Sequence, residues 1–423
     1  MPNYIVSSGN PIKRIAMLIP VLLALLTWSA CGTSNSGTTT TTTGNAKNRA
    51  FVSNAYSGNL QIVDSQNDTT PFTAQTTNSE GQVIPGQPVT IAVGISATFE
   101  VESSDHTLTL VYDPSANTLY FVTNSTQTVA GSTPLSSSTG MAALSPDNNT
   151  VYVPEPNLPF IGQRAGGVEV ITRSTFAIST SYAVPSARYL AVSPNADYLL
   201  VFADNSDSVF LINLAASPVT TVEVPGFARP VNAFFSSDGN TAYVLNCGPE
   251  CGSANPASVM SFNIPSQTIT NTVPVGGASV GYVNGTTLYV AGSPVPPGTT
   301  STYDAVNIAN MTRITPNSVT IGDGYHTTMA LATNNKLYIG ANTCSNTITG
   351  CLSVVNVSTN TADPPLPPRG AITSLMSVAN RNVMYAVEGG VLHIYDTSTD
   401  QLQNTQILFS GALYGVVQVD VTQ

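Results

Sequence analysis

The chain has 423 residues, of which 42% are hydrophobic and only 8% are charged, and its formal net charge is -11. A chain this apolar and weakly charged can bury a core, so disorder driven by charge repulsion is excluded. The 12 Lys and Arg residues, against 23 Asp and Glu, leave no basic surplus for a phosphate backbone, which excludes a nucleic-acid partner. Its many Ser, Thr and Asn residues suit turns and sheet edges better than helices.

The first 30 residues have the pattern of an export signal. Lys13 and Arg14 precede an apolar run over residues 15–28, which is shorter than the roughly 20 residues that a membrane-spanning helix needs. A signal peptide has a core of about 7–15 apolar residues followed by small residues, and both features are present here. We therefore predict that residues 1–30 are a signal peptide.

Cys31 directly follows two small residues, a pattern that resembles the lipobox of bacterial lipoproteins. The resemblance implies that the Cys31 thiol carries a diacylglycerol, that Cys31 is the first residue of the mature chain, and that the lipid holds the protein to a membrane. Trp28 departs from the aliphatic residue usual at its place in that motif, which bears on how efficiently the signal is processed. The alternatives are a plain cleaved signal with a free Cys31 and an uncleaved anchor.

Residues 31–48, from the lipidated Cys to the folded body, include six consecutive Thr and almost no apolar side chain. Such a stretch cannot bury a core, so we predict a flexible tether. In the lipoprotein family, Gly32 rather than Asp after the Cys favours sorting to the outer membrane. The predicted location is therefore the cell envelope, with the exported body at the periplasmic or surface face.

From residue 49 onward the sequence is built from repeats. A short strand recurs at intervals of 43 to 49 residues between Leu200 and Tyr385, and each is preceded by a turn of Pro, Asn, Asp or Gly. Four short strands per unit at this period are typical of a β-propeller blade. Each recurring strand is marked by one residue: Phe51, Tyr120, Tyr152, Leu200, Tyr243, Tyr289, Tyr338 and Tyr385.

The two ends of the repeat region complement each other. The unit at Phe51 lacks its first strand, and a matching strand appears at residues 413–420. Pairing the terminal strands in one blade removes the open sheet edges, so residues 49–423 are predicted to form a single all-β propeller. The recurring strands give eight blades, but the uneven spacing around Tyr120, with residues 113–117 taken as the turn before it, leaves seven as the alternative.

These units resemble the YVTN-type β-propeller repeats of bacterial surface and periplasmic proteins, most clearly at residues 236–246 and 392–396. The resemblance implies the propeller fold. Its relatives include lactonase-type hydrolases as well as many proteins of unassigned function, so the activity stays open. We expect no cofactor and no metal site, because haem-attachment and phosphate-binding motifs are absent and the chain has 3 His residues.

The four cysteines of the repeat region form two close pairs, Cys247 with Cys251 and Cys344 with Cys351. Each pair lies in a long loop between the second and third strands of a unit. Local disulfides are the prediction for an exported protein, and thiolates from two blades that bind one metal are the alternative. These loops share a face with the connections between blades, and long, stapled loops there are either a binding surface or tolerated insertions.

Few basic residues exist in the chain, and several fall near the axial mouth of the predicted propeller. They suggest a funnel that binds an anion or a carboxylate, because Arg offers paired donors; the alternative is solvent-facing residues or Arg bonded to strand-end groups. Loop carboxylates of this face such as Glu250 are candidate partners. The candidate ligand-binding residues are Arg188, Arg229, Tyr325, His326 and Arg369.

Two functions fit these features. The first is a monomeric, non-catalytic binding or scaffold module for a glycan, peptide or protein ligand. The second is a lactonase-like hydrolase in which His326 or a loop carboxylate activates water and Arg188 or Arg229 stabilises the oxyanion. Convergence of these groups in one pocket would favour the hydrolase, and a self-paired cluster would count against it. Calcium in the loop at residues 204–207 is a weaker third reading.

Overall fold

The computed structural model describes residues 48–73, 76–78, 82–84, 86–294, 301–344, 351–364, 366–403, 407, 409 and 411–420. The predicted signal peptide, the lipidated Cys31 and all but the last residue of the tether lie outside them. The regular structure of the described part is antiparallel strand, apart from one 3₁₀ turn at Gly248–Cys251. None of its helical structure has the length and apolar character that crossing a bilayer requires.

The strands form eight blades, numbered here along the chain, with four antiparallel strands in each blade except blade 6, which has five. A two-stranded hairpin outside the blades separates two strands of blade 1. The strands of the first four blades are β1 (Arg49–Asn54), β2 (Asn59–Asp64), the hairpin strands β3 (Thr76–Thr77) and β4 (Val83–Ile84), and β5 (Thr90–Ala92) in blade 1; β6 (Glu100–Glu102), β7 (Leu108–Asp113), β8 (Thr118–Thr123) and β9 (Thr128–Pro134) in blade 2; β10 (Ala143–Leu144), β11 (Thr150–Glu155), β12 (Gly167–Thr172) and β13 (Ala177–Ala183) in blade 3; β14 (Ala187–Val192), β15 (Tyr198–Ala203), β16 (Ser208–Asn213) and β17 (Thr220–Pro225) in blade 4.

The second half of the ring repeats this plan, and in blade 6 two short strands pair with the third strand. These blades contain β18 (Pro230–Phe235), β19 (Thr241–Asn246), β20 (Ser258–Asn263) and β21 (Thr268–Pro274) in blade 5; β22 (Val280–Asn284), β23 (Thr287–Gly292), β24 (Ser301–Asn307), β25 (Thr312–Arg313) and β26 (Val319–Ile321) in blade 6; β27 (Tyr325–Leu331), β28 (Lys336–Thr343), β29 (Leu352–Asn356) and β30 (Thr361–Ala362) in blade 7; β31 (Ile372–Ser377), β32 (Val383–Glu388), β33 (Val391–Asp396) and β34 (Gln401–Leu402) in blade 8. The last strand, β35 (Leu413–Gln418), is the first strand of blade 1.

The ring closes as the sequence predicts. β35 pairs antiparallel with β1, with Val416 opposite Val52 and Val417 opposite Phe51. Arg49 strengthens this closure, because its guanidinium donates a 2.8 Å hydrogen bond to Asp420. The all-β propeller is confirmed, and its blade number is eight rather than seven.

One strand assignment was wrong. Tyr120 lies in β8, the third strand of blade 2, and residues 113–117 join the second strand to the third. The second strand is β7, which follows a turn in which the Ser103 hydroxyl donates to Asp105 at 2.6 Å. The equivalent Ser236 donates to Asp238 at 2.6 Å in blade 5. The turn residues, and not the aromatic residue, therefore mark the second strand.

The core is divided among the contacts between neighbouring blades. Among the described residues, eight apolar clusters each join two adjacent blades. Successive residues of a second strand face opposite neighbours, since side chains alternate along a strand. In β15, Val201 packs toward blade 3 and Phe202 toward blade 5. This explains why the second strands are apolar throughout rather than alternating.

Candidate functional site

A cleft of about 150 Å³ opens on the face formed by the loops between second and third strands and by the blade connections, which we call the upper face. Its walls come from blades 4 and 5, and blade 7 contributes one aromatic residue. The polar, charged and aromatic side chains of its lining include Arg188, Tyr189, Asp204, Arg229, Cys251 and Tyr325. Three of the five predicted ligand-binding residues, Arg188, Arg229 and Tyr325, are therefore brought together.

Arg188 is placed by a bulge in the first strand of blade 4. The pairing of β14 with β15 shifts between Ala187 and Tyr189, and a bulge of this kind re-aims the extra side chain. The Arg188 Nη2 atom donates to Asp204 Oδ2 at 2.7 Å, and Nε donates to the other oxygen at 3.0 Å. This hydrogen bonding is the main cause that raises the Arg188 pKa. Arg188 is thus a fixed cation in the wall of the cleft.

Arg229 has a less satisfied guanidinium. Its backbone has φ +54°, in the left-handed region, and its N–H donates to Asp207 Oδ1 at 3.0 Å. The side-chain Nε is buried without a hydrogen-bond partner, and the nearest carboxylate oxygen, of Asp207, is 3.8 Å away. The loop at residues 204–207, a weak calcium candidate from sequence, thus directs both of its carboxylates to arginines.

Tyr325 and Glu250 border the same region. Burial raises the Tyr325 pKa, and the neighbouring Tyr189 and Glu250 add to the rise. Burial also raises the Glu250 pKa to about 7, against the hydrogen bond that the Ser293 N–H donates at 2.8 Å. Glu250 sits in the 3₁₀ turn that a disulfide closes. The turn therefore holds a protonatable carboxyl between blades 5 and 6.

The two remaining candidates lie elsewhere. His326 is 1% exposed and does not line the cleft. Burial lowers its pKa to about 4, so the ring is neutral at physiological pH. Arg369 lies near Glu388 and Tyr395 in blade 8, where its charge lowers the pKa of both groups against the larger effect of burial.

Both predicted disulfides are confirmed. Cys247 bonds Cys251 with a Cα–Cα distance of 5.6 Å, and Cys344 bonds Cys351 at 5.5 Å. Disulfides persist in oxidising compartments, so they indicate an exported, non-cytoplasmic protein. Cys251 also lines the cleft, which links the first disulfide to the shape of the candidate site.

The sequence did not identify the acids that hold the two arginines. Asp204 directly follows the second strand of blade 4, close to where blades 1 and 5 carry Asn54 and Asn246. The presence of an acid in blade 4, near the position where the other two blades have asparagine, was the feature of the sequence that could have identified Asp204. Among the described residues, the lining of the cleft contains no serine or histidine, and what the arrangement offers is two cations beside aromatic walls.

No protein-family model matches the sequence, and no curated protein matches it. Several solved structures share the fold. Dihydro-heme d1 dehydrogenase NirN, in complex with DHE, is 12% identical with a TM-score of 0.64, covering 89% of this chain and 76% of that one. A functionally unknown protein from Desulfotomaculum acetoxidans DSM 771 is 17% identical with a TM-score of 0.50, covering 75% and 95%. A eukaryotic initiation factor is 11% identical with a TM-score of 0.50, covering 89% and 99%. Identities this low establish only the fold.

Proposed function

We propose that the chain is a cell-envelope lipoprotein with YVTN-type repeats whose propeller is a binding module for a glycan, peptide or protein that carries an anionic group. Residues 1–30 are removed as the signal, Cys31 carries the lipid, and residues 32–48 are the tether. The upper-face cleft takes the carboxylate of the ligand. The two disulfides, which indicate export, support the envelope location.

The observation that carries the binding role is the incomplete pairing of Arg229. Arg188 is already neutralised by Asp204, whereas Arg229 has a buried Nε donor without an acceptor in the same cleft. A buried donor left unpaired is costly, and a ligand carboxylate would satisfy it. The cleft of about 150 Å³ is small beside the roughly 300–1,000 Å³ of pockets that enclose a whole small ligand, so it admits one acidic group of a larger ligand.

The hydrolase alternative has weaker support. It needs a base in contact with the substrate, and His326 is buried, neutral and outside the cleft lining. The carboxylates nearest the arginines are both held: Asp204 accepts hydrogen bonds from the Arg188 guanidinium, and Asp207 accepts one from the backbone N–H of Arg229. Carboxylates held in this way are expected of a structural or binding site rather than a hydrolytic one.

The test compares matched acidic and neutral ligands on the full chain purified in detergent. Peptides with a free carboxyl terminus are titrated against their amides, and oligomers of uronic acids against the corresponding neutral sugars. We expect tighter binding of an acidic member and a loss of about ten- to a hundredfold on Arg229→Ala, the size of a charge-assisted hydrogen bond. Arg164→Ala, an exposed arginine outside the cleft lining, is the matched control.

Equal affinity for acidic and neutral members, or equal losses in the two arginine variants, would contradict the proposal. A lactone panel is run beside the titration. Turnover that His326→Ala abolishes would put the hydrolase first.

A further inference from the structure

The hairpin of β3 and β4 lies outside every blade of the described structure. The chain leaves blade 1 after β2, forms this hairpin and returns at β5. Thr76 stands opposite Ile84, and a bridge between Phe72 and Pro88 continues the same register toward the blade. Because alternate residues of a strand share a face, Phe72, Pro88 and Ile84 lie on one face of this two-stranded ribbon.

The hairpin exposes apolar side chains to solvent. Phe72 is 46% exposed, Val83 63% and Ile84 47%. In the described part of the chain, no other connection between two blade strands exposes three large apolar side chains. The sequence of residues 69–92 contains a single charged residue, Glu80. A surface segment that is apolar and nearly uncharged is costly to leave in water and indicates an interaction site.

The amino-terminal tether joins the propeller at the base of this hairpin. Its last residue, Asn48, directly precedes β1. The Asn48 carbonyl accepts a 2.9 Å hydrogen bond from the N–H of Ser65, and the Asn48 amide donates to Gln66 Oε1 at 3.3 Å. Ser65 follows β2 and is the first residue of the segment that leads to the hairpin. The tether and the hairpin therefore leave the body from one place.

The tether is short enough to keep this place close to a lipid on Cys31. It comprises residues 32–48, and a flexible chain of that length has a root-mean-square span of about 20–25 Å. The ribbon from Phe72 to Thr76 is itself about 13 Å long, at the rise of a strand. β1 runs from Asn48 to the upper face, so that face lies at the opposite end of the strands from the point of attachment.

We propose that the hairpin face with Phe72 and Ile84 rests in the headgroup layer of the membrane, as a second, non-covalent contact beside the lipid. The inference rests on the proposed lipid anchor at Cys31. Aromatic and aliphatic side chains on an element with few charges are stabilised at the boundary between headgroups and acyl chains. The contact orients the propeller with the upper-face cleft turned away from the bilayer and open to a ligand in the aqueous phase.

The test uses the absence of tryptophan from the mature chain, since the one tryptophan of the sequence is Trp28, before Cys31. Ile84→Trp places a single fluorophore on the hairpin. The chain is expressed in full, purified from membranes and reconstituted into vesicles of phosphatidylcholine and phosphatidylglycerol, with or without brominated acyl chains as quenchers. We expect Ile84→Trp emission to shift to shorter wavelength and to lose intensity on brominated lipid. Tyr56→Trp, exposed in the turn between β1 and β2 on the upper face, is the matched control and should show neither change.

Flotation of the vesicles separates failure of this contact from failure of the anchor. A chain that floats while Ile84→Trp is neither shifted nor quenched overturns the contact alone, with a protein partner then the occupant of the hairpin. A chain that does not float overturns both proposals. Equal quenching of Ile84→Trp and Tyr56→Trp also overturns the contact, because the body would then have no fixed orientation. Phe72→Trp repeats the measurement on the same face, and the unsubstituted chain corrects for any Trp28 retained with the signal.

Discussion

Replacing Glu100 by glutamine tests the energetic effect of a carboxyl placed between blades 1 and 2. Glu100 belongs to the first strand of blade 2, and its carboxyl carbon lies close to Gly415 of β35. Both carboxyl oxygens are buried, with Ser53 within hydrogen-bonding reach of the carboxyl. Burial raises the Glu100 pKa to about 8, against the opposing effect of nearby Ser53. The folded protein therefore keeps a proton here that the unfolded chain releases near its ordinary value of 4.5.

The sign and size of the effect follow from this difference. Stability is greatest below pH 4.5 and falls as the pH rises toward 8, because the unfolded state gains from ionisation that the folded state resists. Each unit of pKa difference corresponds to about 1.4 kcal/mol. Between pH 5 and pH 9 the loss attributable to Glu100 is on the order of 2–4 kcal/mol. The neutral amide of the Glu100→Gln variant does not titrate, so it carries no such dependence.

The assay is urea unfolding at pH 5 and pH 9, followed by far-ultraviolet circular dichroism. We expect the stability of Glu100→Gln relative to the native chain to increase by about 2–4 kcal/mol from pH 5 to pH 9. The other buried glutamates titrate in both proteins, so their contribution cancels in this comparison. Glu223→Gln should show no such change, as an exposed glutamate. An advantage of Glu100→Gln that is the same at both pH values would refute the reasoning.

Two further outcomes concern ring closure and anchoring. Asp68 accepts hydrogen bonds from both terminal nitrogens of Arg381, at 2.7 and 2.8 Å, and from the Tyr385 hydroxyl. Asp68→Ala should lower the free energy of unfolding by about 2–3 kcal/mol, because it leaves a partly buried cation unpaired between blades 8 and 1, and an unchanged urea midpoint would contradict this. Cys31→Ser should abolish incorporation of a fatty-acid analogue and release the protein from membranes, whereas labelling that persists would exclude Cys31 as the lipid site.

The fold was largely predictable because the turns carry a repeated chemical pattern. Ser236 and Asp238 form the same hydroxyl-to-carboxylate bond as Ser103 and Asp105, and such turns recur whatever the strands contain. Blade 2 was assigned one strand too late because Tyr120, in its third strand, resembles the aromatic residues of second strands elsewhere. Side-chain type alone does not distinguish two adjacent strands that are both buried.

The candidate site was predictable in part. Arg188, Arg229 and Tyr325 line one cleft. Their positions at or just before the first strands of their blades predicted that they would lie on the same face. His326 is adjacent to Tyr325 but buried, because the pairing of β27 with β28 shifts register on both sides of it. Bulges redirect side chains without a distinct sequence pattern, so the direction of His326 was outside the reach of sequence reasoning.

The pairing of β35 with β1 also determines when the protein can finish folding. An export pathway delivers the chain from its amino terminus, so β1 emerges first and its partner β35 last. Until then β1 has one strand edge without its native partner, and an unpaired edge invites association with other chains. Joining strands separated by most of the sequence also carries the largest loop-closure entropy in the fold. The ring can therefore close only after β35 has been translocated. Chains that lack β35 keep the edge of β1 exposed, which makes them prone to aggregation and proteolysis.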